Sequence, residues 1–209
     1  GDPHRRSPRL VGQVIWLGAV AVTVLAANGA ARLRRAAGAF FLVSLAADAV
    51  GASTTSLPLL AVAACAGTVS AAILYVAAGD DTYGEEPGWR LWMATIVAGG
   101  ATAAAFASFR TVTAGIAAPP PPYGDDPAGV TVQVAAFWLL SSGVAILLSA
   151  RSAVRATLGA LLMTSGVQLL MRLTTGPHLA LSLLVAWLQV VVALAGAFLI
   201  VNERVTRDR

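Results

Sequence analysis

Residues 179–201 read LALSLLVAWLQVVVALAGAFLIV and carry no charged side chain. A helix rises 1.5 Å per residue, so about 20 apolar residues cross the roughly 30 Å hydrocarbon core of a bilayer. This stretch is therefore predicted to be a transmembrane helix. The same reasoning predicts seven spans in the 209-residue chain. The predicted spans are residues 10–27, 36–54, 57–78, 89–109, 129–149, 153–173 and 179–201.

The composition also indicates a membrane protein. Hydrophobic residues make up 57% of the chain and charged residues 11%, and the mean hydropathy is +0.77. A soluble domain needs more charge than this to cover its surface. The pI near 10.2 would suggest nucleic acid in a soluble protein, but here the arginines flank the apolar stretches. We therefore predict an all-α, polytopic transmembrane helix bundle that lies in the bilayer and has no nucleic-acid partner.

The arginines predict the orientation of the bundle, because the cytoplasmic side of a membrane protein carries an excess of basic residues. All 14 basic residues of the chain are arginines. With seven spans, one side of the membrane receives only Arg5, Arg6, Arg9, Arg110 and Arg172, and the other side receives the rest. The C-terminus is thus predicted to be cytoplasmic, in the cytoplasmic membrane of a bacterium or archaeon.

A polar, proline-rich break divides the chain. Residues 115–128 read GIAAPPPPYGDDPA, and the run Pro119 to Pro122 predicts an extended polyproline II spacer. The break separates a four-helix module, residues 1–114, from a three-helix module, residues 129–209. By the predicted orientation this linker lies outside the cell.

The loop between the third and fourth spans is acidic. Residues 79–88 read GDDTYGEEPG and contain Asp80, Asp81, Glu85 and Glu86. Oxygen ligands of this kind can hold a divalent cation, but acidic loops are more often simply solvated. The loop is also a candidate docking patch for a basic partner.

Small residues recur on the fourth span. Gly99, Gly100, Ala103 and Ala107 follow the small-xxx-small spacing that allows close helix contact. The pattern predicts tight packing, either within the chain or against a partner subunit.

The sequence contains no motif of a catalytic or cofactor site. There is no Walker loop, zinc-ligand spacing, serine elbow or haem-attachment motif. The two histidines, His4 and His178, both fall at span ends, so the predicted bundle has no pair of axial haem ligands. We therefore expect no catalytic residue, metal or cofactor in this chain.

Asp48 is the ionisable residue that stands out, because it falls inside a predicted span. A carboxylate there costs several kcal/mol unless it is paired, hydrated or protonated. It is either part of a proton or cation relay, or a carboxyl near the interface that snorkels or bonds to Ser53 or Thr54. Arg110 and Arg172 fall near the outer span ends and are expected to snorkel into the headgroups.

One segment resembles a known family. Residues 139–173, LLSSGVAILLSARSAVRATLGALLMTSGVQLLMRL, combine a span, a short arginine-containing loop and the pattern R-x-x-x-R-x-x-L-G-x-x-L-M. This resembles the K subunit of complex I and component E of hydrogenase-4-type membrane complexes, which has a four-helix module before a K-like three-helix module. The AGTV at residues 66–69 is similar to a motif of the complex I J subunit.

The resemblance implies a non-catalytic membrane-arm subunit of an ion-translocating redox complex, packed among antiporter-like and other membrane-arm subunits. From their spacing at a predicted cytoplasmic turn, we also expect Arg151 and Arg155 to anchor the K-like module at the membrane interface or to a partner. In the family this module carries carboxylates of a lateral proton path. Here Leu161 and Thr164 occupy those positions, and Trp187 and Gln189 stand where an acidic residue is expected.

The K-like relay is therefore predicted to be lost, which favours a scaffolding role. The neutral side chains that remain, and that can hold water, are those of Thr164, Ser165, Gln168 and Gln189. Together with Asp48, they are the candidates for a proton path. Two other functions stay open: a stand-alone seven-span transporter of an ion or small molecule, and a structural subunit of another energy-transducing membrane complex.

Overall fold

The computed structural model describes residues 7–29, 33–52, 56–79, 88–114, 127–175 and 178–207, and these residues form seven helices and no strand. The helices are α1 (Ser7–Gly29), α2 (Leu33–Gly51), α3 (Leu57–Ala78), α4 (Gly88–Ala114), α5 (Pro127–Ser149), α6 (Ala153–Thr175) and α7 (Leu179–Arg207). The prediction of an all-α bundle of about seven helices is confirmed. Five of them, α3 to α7, are long and apolar enough to cross a membrane.

The other two helices do not meet this criterion within the described residues. In α1, the apolar helix whose side chains are described is Val14–Ala27. Helix α2 carries Arg34 and Arg35 in its first turn and Asp48 near its end, so only a short uncharged segment separates them. Helix α2 is nevertheless an inner helix of the bundle, since it contacts α1, α3, α5 and α6, and α5 is likewise inner, since it contacts α1, α2, α4 and α6.

The helices form two layers. Helices α1, α2 and α3 lie side by side in one layer, and α4, α5, α6 and α7 lie side by side in the other. Helix α1 packs on α5, α2 on α5 and α6, and α3 on α7, so the layers face each other. The core between them contains Phe40 of α2, Leu139 of α5 and Leu161 of α6, all fully buried.

Contacts at the helix ends show that helices consecutive in the chain run in opposite directions, whereas α3 and α7, which face each other across the two layers, run parallel. The Arg34 guanidinium at the start of α2 stacks over the Tyr75 ring near the end of α3. Arg204 near the end of α7 contacts the last carbonyls of α3. We call this end of the bundle the arginine face; α3, α5 and α7 end there, and α2 and α6 begin there. The other end is the opposite face.

Helices α5 and α6 make the closest contact in the bundle, and three glycines allow it. A Cβ atom at Gly159 would lie 2.8 Å from the carbonyl oxygen of Gly143, and one at Gly166 would lie 2.9 Å from the carbonyl oxygen of Ala136. A Cβ at Gly143 would in turn lie 2.8 Å from the backbone nitrogen of Met163. The backbones of these two helices are therefore in direct contact, as small residues permit in membranes.

Helix α7 continues six residues beyond the predicted end of its span at 201, because its last turns cap two other helices. The Glu203 carboxylate accepts the N–H of Ala153 at 3.0 Å, at the start of α6. The Arg204 Nη2 donates to the carbonyls of Ala78 at 2.8 Å and Ala77 at 3.2 Å, at the end of α3. An acid at a helix start and a base at a helix end both match the helix dipole.

Gly79 makes room for this arginine. It follows α3 with a positive φ of 57°, and a Cβ atom there would lie 2.8 Å from Arg204 Nη2. Glycine is suited to this position both by its backbone conformation and by its lack of a side chain.

Helix α4 packs on α5 through a face other than most of the predicted small-residue face. Its buried residues Ala94, Ala98 and Thr102 face α5, whereas Gly100 has no atom within 4 Å of a Cβ position. Ala103 and Ala107 are exposed as well. Of the predicted small-residue face, only Gly99 approaches another helix in the described part of the chain, with a Cβ position 4.0 Å from the Trp138 ring of α5; the other three residues are left for lipid or a partner to cover.

Most of the predicted linker, residues 115–126, lies outside the described residues. Its last two residues, 127 and 128, form the start of α5. Helix α4, which precedes the linker, packs on α5, which follows it. The predicted boundary therefore does not coincide with a gap in the packing. The division into residues 1–114 and 129–209 stays a prediction.

Replacing Gly159 with valine should destabilise the isolated chain by about 1–3 kcal/mol, because the side chain has no space between the two backbones. The measurement is the thermal unfolding midpoint in detergent. Gly100→Val is the matched control: it is also a glycine inside a helix, but its surroundings are open. Equal midpoints for the two variants would contradict the importance of the α5–α6 contact.

Candidate functional site

An ion pair lies inside the bundle, between α2 and α6. The Arg172 Nη1 atom lies 3.5 Å from Asp48 Oδ1, and the two side chains are only 5% and 17% exposed. Arg172 Nη2 lies 3.5 Å from the carbonyl oxygen of Leu59 at the start of α3. The arginine thus joins three helices near the opposite face. The expectation that Arg172 snorkels into the headgroups is wrong, because its guanidinium is buried in the bundle, where the Asp48 carboxylate balances its charge.

Polar side chains surround the pair. Gln168 of α6, Gln189 of α7, Ser165 of α6 and Ser44 of α2 line a small cavity together with Asp48 and Arg172. The cavity has about 10 Å³ of space for water centres, which is room for one water molecule. It is far below the roughly 300–1,000 Å³ of a small-molecule site.

Several atoms around the cavity have hydrogen-bonding capacity that no neighbour uses. Gln168 Nε2, Gln189 Oε1 and Ser44 Oγ are buried and have no hydrogen-bond partner among the described residues. Buried polar atoms of this kind are normally satisfied by protein or ordered water. Two amides and a hydroxyl around a space of this size are suited to hold one bridging water between them and the carboxyl of Asp48.

Helical periodicity brings these groups together. Residues 44, 48 and 51 follow one face of α2, and residues 165, 168 and 172 follow one face of α6. The small residues on α2 and α3 allow close approach: a Cβ atom at Gly67 would lie 2.8 Å from Ser44 Cβ, and one at Gly51 would lie 3.2 Å from Leu169 Cδ2. The polar face of α6 is thus turned toward α2 and α7, and its glycine face toward α5.

From the Asp48–Arg172 pair, the polar lining continues only toward the opposite face of the bundle. A second cavity of about 10 Å³ lies on the other side of Arg172 and is lined by Gln168, Ser182 and His178, among others. His178 is exposed at the start of α7, at the opposite face. In the other direction, Leu161 and Ala193 are fully buried, one helical turn beyond Ser165 and Gln189. The site therefore approaches the surface at the opposite face and is closed by apolar side chains toward the arginine face.

Thr164 is the predicted proton-path residue that the structure does not bring to this site. It does not line the cavity, and its hydroxyl donates to the carbonyls of Ala160 and Leu161 in its own helix. Gln168 and Gln189, by contrast, do lie beside Asp48. Ser53 and Thr54, the alternative partners considered for Asp48, lie outside the described residues.

The predicted interface residues divide into three cases. Arg151 is exposed at the arginine face, before the start of α6. Arg155 is only 7% exposed, so it packs within the chain. The acidic residues of the loop before α4 lie outside the described residues; they are Asp80, Asp81, Glu85 and Glu86.

The chemistry available at the site is limited to protons, water and charge. A carboxyl exchanges protons, an amide both donates and accepts hydrogen bonds, and a guanidinium stays positively charged throughout. Within the described ranges, no three His, Cys, Asp or Glu side chains are grouped closely enough to bind a metal.

We compared the chain with protein families, curated proteins and solved structures. The chain matches no family model, no curated protein and no solved structure.

The ion pair predicts an asymmetric effect of mutation. Asp48→Asn leaves a buried guanidinium without its counter-charge, which costs about 3–5 kcal/mol. Arg172→Gln should cost less, because the carboxyl left behind is able to neutralise itself by taking up a proton. The double variant Asp48→Asn/Arg172→Gln should be more stable than Asp48→Asn.

Thermal midpoints of the four proteins in detergent, compared as a double-mutant cycle, measure these differences. Gln133→Met serves as a control, since Gln133 is fully buried in α5 but does not line the cavity. Additive effects of the two single substitutions would show that the two charges do not interact.

Proposed function

We propose that the chain is a non-catalytic subunit of a multi-subunit, ion-translocating redox complex in a membrane, with a mainly scaffolding role. The observation that carries the proposal is the Asp48–Arg172 pair beside a cavity of about 10 Å³. Such a site has room for a proton and one water, but not for an organic substrate. It therefore suits a component of an ion-translocating assembly better than a carrier of small molecules.

The resemblance of residues 139–173 to complex I-type membrane-arm subunits supports the same proposal. Neither of the two family carboxylate positions has a titratable group here. Leu161 is fully buried in the core, and the Thr164 hydroxyl bonds to its own helix. The charged group of this chain lies instead at Asp48 on α2, three residues before the helix ends. We infer that any proton exchange by this subunit involves Asp48 and the two glutamines beside it.

Helix α4 supports a role within a larger assembly. It contacts α5 and, slightly, α1, and its outer surface exposes Trp92, Ile96 and Val112. The small residues on this surface permit another helix to approach closely. In the proposal, α4 is the face on which a neighbouring membrane subunit packs.

The arginine face is proposed to be cytoplasmic. Arg34, Arg35, Arg151 and Arg204 all lie there, whereas the described opposite face has Arg9 in the first turn of α1, Arg110 and the paired Arg172. An excess of basic residues on the cytoplasmic side is the common pattern. The C-terminal end of α7 is then cytoplasmic, and Asp48 lies nearer the outer surface.

The first test is purification of the tagged chain from its native membrane in mild detergent, followed by mass spectrometry of the proteins that accompany it. We expect antiporter-like membrane subunits and iron–sulfur or nickel–iron proteins in near-equal amounts. A chain that is recovered alone, or as a homo-oligomer, contradicts the proposal and favours the stand-alone ion transporter. Co-purified pigments or haems favour a different energy-transducing complex.

The second test separates scaffolding from proton exchange. In the intact complex, Asp48→Asn/Arg172→Gln removes both charges together and should leave assembly intact. If Asp48 exchanges protons during turnover, redox-driven proton pumping in vesicles should fall several-fold while electron transfer continues. Gln133→Met is the control, and unchanged pumping in the double variant would restrict the chain to scaffolding.

A further inference from the structure

Two small cavities adjoin near the opposite face of the bundle. The inner cavity lies beside Asp48 and the outer cavity beside His178, and each has about 10 Å³ of space for water centres, which is enough for one water. Gln168 and Arg172 line both cavities. These two side chains therefore form a partition between a space that reaches Asp48 and a space that reaches an exposed histidine.

The partition has hydrogen-bonding capacity that no neighbour uses. Gln168 Nε2 and Arg172 Nε are buried, and neither has a hydrogen-bond partner among the described residues. Arg172 Nη1 lies 3.5 Å from Asp48 Oδ1, which is longer than a strong hydrogen bond between charged groups. Buried N–H groups are normally satisfied by protein or by ordered water. We therefore expect one water in each cavity, on either side of the partition.

The outer cavity continues the polar lining to the surface. Ser182 follows His178 by about one helical turn along α7, so both residues lie on the same side of that helix. The exposed fraction decreases inward: His178 is exposed, whereas Ser182 and Gln168 are 7% and 6% exposed. A proton that arrives at His178 thus meets a hydroxyl, an amide and the two expected waters before it reaches Asp48.

Few groups along this route can change their charge. Asp48 of α2, Arg172 of α6 and His178 before α7 are the titratable residues among the described lining of the two cavities. Helix α3 contributes Ala63 to the inner cavity and α7 contributes Gln189, and neither side chain titrates. A guanidinium stays protonated, whereas a carboxyl and an imidazole exchange protons. Asp48 and His178 are therefore the two ends of the route.

The route has no continuation toward the arginine face among the described residues. Leu161 and Ala193 lie about one helical turn beyond Ser165 and Gln189, and both are fully buried. A charge buried among apolar side chains without a partner is strongly disfavoured. The polar lining thus reaches one surface of the bundle and stops before the other.

We propose that Asp48 exchanges protons only with the solution at the opposite face, through one water in each cavity, and that His178 collects the proton at the entrance. In the inward transfer an N–H bond of the His178 imidazolium breaks, its electron pair stays on the nitrogen, and the proton joins the outer water. The waters pass a proton on, and an O–H bond forms on the Asp48 carboxylate. The neutral imidazole then takes up another proton from solution.

Gln168 is the positioning residue of this route. Its amide borders both cavities, and rotation of its side chain brings the two waters into contact, so that the proton crosses the partition. The use of the route during redox turnover rests on the proposed function, whereas the route itself is a property of this chain.

The first test measures which side of the membrane has access to the inner cavity. Silver ion is a suitable probe, because it is close to water in size, does not cross the bilayer, and binds a thiol sulfur with release of the thiol proton. In a Cys65→Ser background, Ser182→Cys and Ser165→Cys place one thiol in the outer and one in the inner cavity. The full chain is reconstituted in vesicles, and unreacted thiols are counted by alkylation after unfolding.

The vesicles are sorted by a tag on the C-terminus, which follows the end of α7 at the arginine face. In vesicles that expose the opposite face, external silver ion should react with both thiols; in vesicles that expose the arginine face, it should react with neither. Reaction of Ser165→Cys from the arginine face, or from neither face, overturns one-sided access.

Ser142→Cys is the matched control for the silver experiment. Ser142 is 4% exposed and lines a cavity of the same size between α1, α4 and α5. Its thiol should stay unreacted from both faces. If it reacts as fast as the thiol of Ser165→Cys, silver ion enters buried cavities in general, and the proposal of a defined route is wrong.

A second substitution tests the partition. Gln168→Leu should slow the reaction of Ser165→Cys about tenfold, the effect of one lost hydrogen bond to a polar species, and should leave that of Ser182→Cys unchanged. Gln133→Leu is the control, since Gln133 is also a fully buried glutamine but lines neither cavity. An equal change at both thiols, or no change at either, contradicts a route that passes Gln168.

The role of His178 is tested by time-resolved infrared spectroscopy of the Asp48 carboxyl after a pH jump at the opposite face. The carboxyl band is assigned by its loss in Asp48→Asn/Arg172→Gln. His178→Gln should slow proton uptake about tenfold or more, and imidazole in the buffer should restore the rate, which a purely structural role would not allow. An unchanged rate, or a slow rate that imidazole does not restore, overturns the role of His178.

These results are independent of the partners of the chain. A chain recovered without redox partners contradicts the proposed function but does not alter the reaction with silver ion. An inner cavity that is closed to both faces overturns the route and leaves the assignment as a scaffolding subunit in place.

Discussion

The backbone contact between α5 and α6 determines the arrangement of the rest of the molecule. In lipid, apolar side chains gain little by leaving one apolar environment for another, so helices associate through close packing. Gly143, Gly159 and Gly166 bring these two helices together without intervening side chains. With one face of α6 fixed on α5, its other face, which carries Gln168 and Arg172, is directed at α2 and α7. The position of the ion pair is thus a consequence of where the glycines lie.

The helices themselves were predictable because each depends on local composition. Long uncharged stretches must form helices in a bilayer, since every backbone group needs a partner. The predicted ends agree within a few residues with most of the observed helices. The largest difference is at α7, which continues through Glu203 and Arg204. The apolar stretch ends at Val201, and nothing in the local sequence indicates that Glu203 caps the start of α6 or that Arg204 caps the end of α3.

The candidate site was predictable only in part. Asp48 is recognisable from sequence, because a carboxyl within an apolar stretch is costly by itself. Its partner is not, since Arg172 lies near a span end, where snorkelling into the headgroups is equally reasonable. Whether Arg172 reaches the headgroups or pairs with Asp48 depends on the rotation of α6 about its axis. That rotation is set by packing against α5, not by the sequence around Arg172. The same rotation places Thr164, a predicted proton-path residue, away from the cavity that Gln168 and Gln189 line.

The two caps made by α7 affect the order in which the helix ends become capped during synthesis of the chain. Arg204 is 126 residues away from Ala78, whose carbonyl it caps, and Glu203 is 50 residues away from Ala153. At about 5–20 residues per second, α3 is synthesised roughly 6–25 s before its capping arginine. During that interval its last carbonyls have only water or headgroups as partners. The caps on α3 and α6 therefore form only after the end of α7 has been synthesised. Until then, these two helix ends at the arginine face lack their capping side chains.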